Sequence, residues 1–218
     1  MLITGTGEAV TTFWRYLQGT VVRPHHTFGR LVADSRSLAH GFKAVLLIGT
    51  LYTLTVIGLA AVKAEIMAPA WIPISADEYY FWEIFFAMPV VFLGWIVAAG
   101  VAQLLSRPFG GSGTFEGTLA VLAFAVTVPT FVTWVPETAG TTLILAGAMT
   151  HGDWVEATSR PGFWQVFGLA YQLVAVAWYV FLFPIAVAQA QRLRWRQSVA
   201  VGIPTLAVFG LWMFTFIR

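Results

Sequence analysis

A chain of 218 residues that is 58% hydrophobic and only 10% charged cannot bury its apolar surface in one soluble core, where about a quarter of the residues would carry charge. A formal net charge of +2 is too small to indicate a nucleic-acid partner. The absence of cysteine excludes disulfides, thiolate metal sites and cysteine nucleophiles.

Residues 1–43 read as a cytoplasmic N-terminal segment of amphipathic, interfacial helices. Val10, Phe13, Trp14, Leu17 and Val21 recur at helical spacing, with Thr11, Thr12, Arg15 and Gln18 off that face. Pro24 breaks the pattern. A second stretch then sets Phe28, Leu31, Val32 and Leu38 against Arg30, Asp34 and Arg36. Such helices lie in the inner leaflet or dock a cytosolic partner. The opening lacks the basic and apolar regions of a cleavable signal peptide, so the first span is expected to be its own insertion signal.

Residues 44–218 read as an all-α, five-span membrane domain. Its apolar runs fall at about 44–62, 80–105, 115–135, 163–189 and 199–217. Ser75-Ala76-Asp77-Glu78 predicts a capping box before the second span. Tyr79, Tyr80, Phe81 and Trp82 are expected at the outer interface. Thr114 predicts the N-cap of the third span, with Glu116 in its first turn and Pro129 within it. Leu143–Met149 is too short to cross and reads as an interfacial or re-entrant piece. Pro161 is expected in the first turn of the fourth span.

The basic residues orient these spans. Arg15, Arg23, Arg30, Arg36, Lys43, Arg107, Arg192, Arg194 and Arg196 fall on one side, and only Lys63, Arg160 and Arg218 on the other. Lys and Arg resist translocation, so the N-terminus is expected in the cytoplasm and the C-terminus outside.

Gly94-Trp95, the loop Leu105-Ser106-Arg107-Pro108-Phe109-Gly110-Gly111-Ser112-Gly113-Thr114-Phe115 and the mid-span Pro129 together resemble the core of the Yip1 domain family. Pro24-His25-His26-Thr27-Phe28 is similar to the start of its prokaryotic members, and the likeness covers roughly residues 24–217. The resemblance implies a five-span protein with a cytosolic N-terminus, of the type found in a prokaryotic cell membrane. Eukaryotic members are similar to Golgi and endoplasmic-reticulum adaptors linked to Rab GTPases and membrane trafficking. The chain lacks their long cytosolic N-terminal region, which makes GTPase binding doubtful.

The candidate functional residues are Glu83, Arg107, Gly110, Gly111, Gly113, Glu116 and Pro129. The glycines lack the Lys-Ser or Lys-Thr of a phosphate loop and read as a tight turn. The following helix start, with Arg107, could instead hold a lipid phosphate. Glu83 is ionisable within a span and so a functional candidate, the plainer reading being that it reaches the headgroups. Glu116 reads equally well as a partner of the helix dipole. His151, Asp153 and Glu156 could approach a metal only if their loop folded on itself, and a solvated acidic loop is the simpler reading. No hydrolase motif is present, so no catalytic residue, metal or cofactor is assigned. Ala98/Ala102 and Ala186/Ala190 have the spacing that lets helices approach closely.

The expected function is a non-enzymatic membrane organiser or adaptor. It would act in the lipid bilayer through its N-terminal helices and through self-association or packing with another membrane protein. The alternative is a small transporter, channel or lipid-translocating protein with a cavity near Pro129 and Glu83.

Overall fold

The computed structural model describes residues 4–66 and 68–217, with side chains from Thr11 onward, and these residues form helices joined by turns and loops. Helices α1 (Thr4–Val22) and α2 (Pro24–Ala33) precede five long apolar helices: α3 (Ser37–Ala61), α4 (Tyr79–Ser106), α5 (Phe115–Leu145), α7 (Phe163–Gln191) and α8 (Trp195–Phe216). A short helix, α6 (His151–Ser159), links α5 to α7. The chain is therefore an all-α membrane protein with five helices long and apolar enough to span.

Helix α5 is the hub. Every residue from Gly117 to Pro129 is buried, as expected of a helix that is apolar all round. It packs against α3, α4 and α7 and closes a core in which Leu122, Phe124, Phe183 and Ile185 are inaccessible. Trp95 donates its indole N–H to the Leu119 carbonyl (2.8 Å), tying α4 to this hub. Thr114 caps α5 as its sequence predicts, its Oγ1 accepting from Gly117 N–H at 3.1 Å, and Glu116 stands in the first turn. Such a cap is worth about 1 kcal/mol.

The helix does not stop after Pro129 and Pro136 but continues to Leu145, so Leu143–Leu145 belong to it and not to a separate interfacial segment. Neighbouring threonines supply hydrogen bonds along this proline-bearing stretch. Thr130 Oγ1 donates to the Val126 carbonyl (2.7 Å) and Thr133 Oγ1 to the Thr130 carbonyl (3.0 Å), a usual accommodation of proline in a membrane helix. Thr138 then joins Thr55 of α3 at 2.7 Å.

Two helix starts also depart from expectation. Ser75 and Glu78 form no capping box; residues 76–78 make a turn, and α4 begins at Tyr79 without a side-chain cap. Pro161 lies before α7, whose N-cap is Gly162. The aromatic belt divides accordingly. Tyr79 and Tyr80 are buried, with Tyr79 donating to the Phe216 carbonyl (2.9 Å), while Phe81 and Trp82 face outward.

The amphipathic N-terminal helices dock on the bundle. Phe28 and Leu31 are fully buried, and Phe13, Tyr16 and Leu17 nearly so. Trp14 and Val21, expected on the same face, remain exposed, and Val10 lies outside the described side chains. The second amphipathic stretch is broken after Ala33, because Asp34 Oδ1 accepts from Arg36 N–H (2.8 Å) and turns the chain into α3. Tyr16 donates to the other Asp34 oxygen at 2.7 Å. Burial works against the Asp34 charge, but these hydrogen bonds and nearby His40 hold its carboxyl below the usual range. Burial first, then the bond to Asp34, pushes the Tyr16 phenol up to about 12.

The small-residue pairs serve internal packing. Ala98, Ala102, Ala186 and Ala190 are all buried within one bundle, where close backbone approach replaces the hydrophobic drive that lipid removes.

Candidate functional site

The two connections bearing Arg107 and Arg192–Arg196 meet at one end of the bundle. Ser112 N–H donates to the Gln191 carbonyl (3.2 Å), and Gln197 approaches the Phe109 carbonyl at 3.5 Å. Arg107 opens a 3₁₀ turn over Arg107–Phe109, and its side chain is exposed, as is that of Glu116.

The glycines of this loop act in two ways. Gly110 has φ +80°, a left-handed conformation that closes the 3₁₀ turn and favours glycine. Gly111 and Gly113 have no positive φ; they lack room. A Cβ on Gly111 would lie 2.7 Å from Ser106 Cβ, and one on Gly113 only 1.8 Å from the Ala190 carbonyl oxygen. The loop's amides are already engaged: Gly110 N–H donates to Arg107 (3.0 Å), Gly111 to Ser106 (2.9 Å) and Ser112 to Gln191. They are spent on the fold and do not form a phosphate cradle.

Beneath the loop lies a buried polar knot that joins three helices. Gln191 Nε2 donates to Gln103 Oε1 (2.5 Å) and to Thr118 Oγ1 (2.6 Å). Gln103 Nε2 donates to the Gly113 carbonyl (3.1 Å) and the Thr118 hydroxyl to the Thr114 carbonyl (2.9 Å). Thr118 and Gln191 are inaccessible. This end of the bundle is packed shut.

Toward the opposite end the bundle opens. Helices α7 and α8 touch closely where Gly202 meets Pro184, leaving only 2.8 Å between Pro184 N and any Cβ at position 202. From Leu182 onward α7 is largely buried, whereas between Phe163 and Phe181 only Ala175 is. The space that α7 leaves there is a cavity of about 650 Å³ lined by residues of α3, α4, α5, α7 and α8, with Ala68 of the loop before α4 also contributing. Its volume lies in the range of ligand pockets, about 300–1,000 Å³.

The lining has two characters. Val91, Val176, Leu206, Phe209 and Met213 form apolar walls, while Tyr52, Thr133, Glu137 and Gln172 supply polar groups. Thr130 and the Tyr179 hydroxyl hydrogen-bond at 2.6 Å across the α5–α7 wall. Tyr52 also donates to Glu83 Oε1 at 2.9 Å. Among the described residues, no lysine, arginine or histidine lines the space.

The Yip1 domain model matches residues 19–217, nearly the whole chain. The chain belongs to the Yip1 domain family. No curated protein and no solved structure matches it.

The structure of this Yip1 protein separates the sequence-derived candidates. Arg107, Gly110, Gly111, Gly113 and Glu116 cluster at the arginine-rich end. Glu83 and Pro129 lie deeper. Glu83 is fully buried, which corrects the expectation that it reaches the headgroups; Tyr52 holds it inside. Neither Glu83 nor Pro129 lines the cavity, but Tyr52 and Thr130 beside them do. Glu137, Gln172 and Tyr179 escaped notice as a group because they come from two helices and carry no motif. Glu137 in particular reads as part of a solvated loop when α5 is taken to end near residue 135.

His151, Asp153 and Glu156 do not converge as metal ligands. Asp153 pairs with Thr150 in a capping box that starts α6, Glu156 pairs with Arg160, and His151 meets the Glu65 carbonyl. The hydrogen bonds from Thr150 hold the Asp153 carboxyl below its ordinary range.

Proposed function

We propose that this Yip1 protein is a non-enzymatic binder of amphiphilic molecules, which enter its cavity from the bilayer between α7 and α8. The observation that carries this reading is the one-ended, two-natured cavity: apolar walls for a chain, and a cluster of polar side chains for a head. The packed Gln103–Thr118–Gln191 knot argues against an open channel in this conformation. The expected arrangement, with the arginine-rich end in the cytoplasm, would place the cavity mouth toward the outer leaflet. A cysteine introduced at position 194 should then resist a membrane-impermeant thiol reagent added to intact cells. Ready labelling there would reverse the orientation.

Gly210 supplies the direct test. It lines the cavity, and a Cβ there meets nothing within 4 Å. In nanodiscs, a photoreactive long-chain alcohol should label residues between Ala175 and Tyr179 and between Leu206 and Phe214. Gly210→Phe should reduce that labelling at least tenfold while leaving the protein folded. Labelling that instead follows general lipid exposure, at Leu93 and Leu104 of α4 as strongly as in the cavity, would remove the basis for the reading.

A second reading, the membrane organiser, draws on a different feature. An open apolar groove of about 570 Å³ runs between α1, α5 and α7, lined by Trp14, Leu17, Val21, Phe131, Val132 and Trp178. An exposed apolar surface of this kind suits packing against another membrane helix. Loss of a specific disulfide cross-link between copies carrying cysteine at Val132 would count against self-association through it.

A further inference from the structure

We infer that the occupant of the cavity carries a hydroxyl head, an uncharged O–H group on an apolar chain. This inference rests on the amphiphile-binding reading above and adds the chemistry of the head. The observation behind it is where the protons of the lining go. Each hydroxyl and each indole has one proton to give. Thr130 Oγ1 gives its own to the Val126 carbonyl (2.7 Å), so in the 2.6 Å contact with Tyr179 the tyrosine is the donor. Thr133 Oγ1 donates to the Thr130 carbonyl (3.0 Å), the Trp134 indole to Thr55 Oγ1 (3.1 Å) and Tyr52 to Glu83 (2.9 Å). Among the described residues of the lining, every hydroxyl and indole proton is therefore held within the protein.

The oxygens of Thr130, Thr133 and Tyr179 keep lone pairs, and a hydroxyl that donates accepts more strongly in turn. Thr130, Thr133 and Glu137 recur at i, i+3 and i+7, one face of α5, and Tyr179 meets that face from α7. The Glu137 side chain, exposed at the far end of the row, adds acceptor oxygens. Such a row takes a head that donates. An ether or ester head would set lone pairs against lone pairs and leave these oxygens desolvated and unpaired. Gln172 of α7 also lines the space, and its amide has both a donor and an acceptor. A hydroxyl answers both, giving its proton to the row and accepting from Gln172. An ammonium gives but cannot accept. The apolar walls receive the chain.

The test is binding of two probes of equal chain length to the protein in nanodiscs of choline-headed lipid, whose head has no O–H or N–H to compete. One is a long-chain alcohol, the other its methyl ether, which keeps the oxygen and loses the proton. With affinities taken relative to partition into empty nanodiscs, the wild-type protein should bind the alcohol at least about fivefold more tightly. Thr133→Val combined with Tyr179→Phe should bring the two probes within about twofold of each other while leaving ether binding unchanged within the same margin, and Thr133→Ser should retain the preference. Equal binding of both probes by the wild-type protein would overturn the hydroxyl inference and leave the amphiphile reading intact. Binding of neither would overturn both. The wild-type comparison needs no variant, so misfolding of the double variant cannot obscure the result. Adding diacylglycerol, a lipid with a free hydroxyl, separates two sources of the same chemistry: competition with the alcohol probe assigns the site to a lipid head, and its absence to a single-chain alcohol.

Discussion

Gly113→Ala is expected to abolish recovery of folded protein. The added Cβ would fall 1.8 Å from the Ala190 oxygen and 2.7 Å from its carbonyl carbon. These are backbone atoms of α7, so no rotamer change relieves the clash. Moving them would drag Gln191 out of the polar knot and separate α7 from α4 and α5. Ordinary overpacking costs about 1–3 kcal/mol, and a clash with fixed backbone exceeds that. Gly110→Ala is the control. Its φ of +80° makes alanine strained, but the site is open, so the cost is about 1–2 kcal/mol. Size-exclusion profiles and melting curves in a mild detergent should show aggregation for Gly113→Ala and a monodisperse, slightly destabilised Gly110→Ala. Equal behaviour of the two would contradict the packing account of this loop.

Gln191→Glu should have the second largest effect. In the wild type the Gln191 amide donates to two oxygens, on half-buried Gln103 and fully buried Thr118. A glutamate would face those oxygens with further acceptors and place a carboxylate where the side chain is inaccessible. An uncompensated buried charge costs about 3–5 kcal/mol. Gln191→Leu removes the donors without adding charge, and each lost hydrogen bond is worth about 1 kcal/mol plus the cost of unsatisfied partners. The melting temperature should therefore fall in the order wild type, Gln191→Leu, Gln191→Glu. A glutamate variant as stable as wild type would mean that water reaches the knot.

The order of the spans was legible because long apolar runs and the Thr114 cap act through local chemistry. Pro129 and Pro136 show where such reading stops. Proline signals a break, but Thr130, Thr133 and the Thr55–Thr138 contact support a helix running on to Leu145. That misplaced end hid Glu137. The glycine loop was read correctly as a turn, yet only Gly110 is there for its φ. Gly111 and Gly113 answer to Ser106 and Ala190, and Ala190 lies far along the chain. Glu83 was visible as an intramembrane carboxylate, whereas its partner Tyr52 is set by the packing of α3 against α4. The cavity could not be read at all, because it depends on where α7 leaves α8 beyond the Pro184–Gly202 contact.

The most direct test is an experimental structure in nanodiscs containing a long-chain alcohol. The account predicts elongated density between α7 and α8, with its chain along Leu206, Phe209 and Met213 and its head beside Tyr52 and Glu137. A bundle in which α7 closes against α8, so that Val176 and Tyr179 fill the space and no density remains, would contradict it.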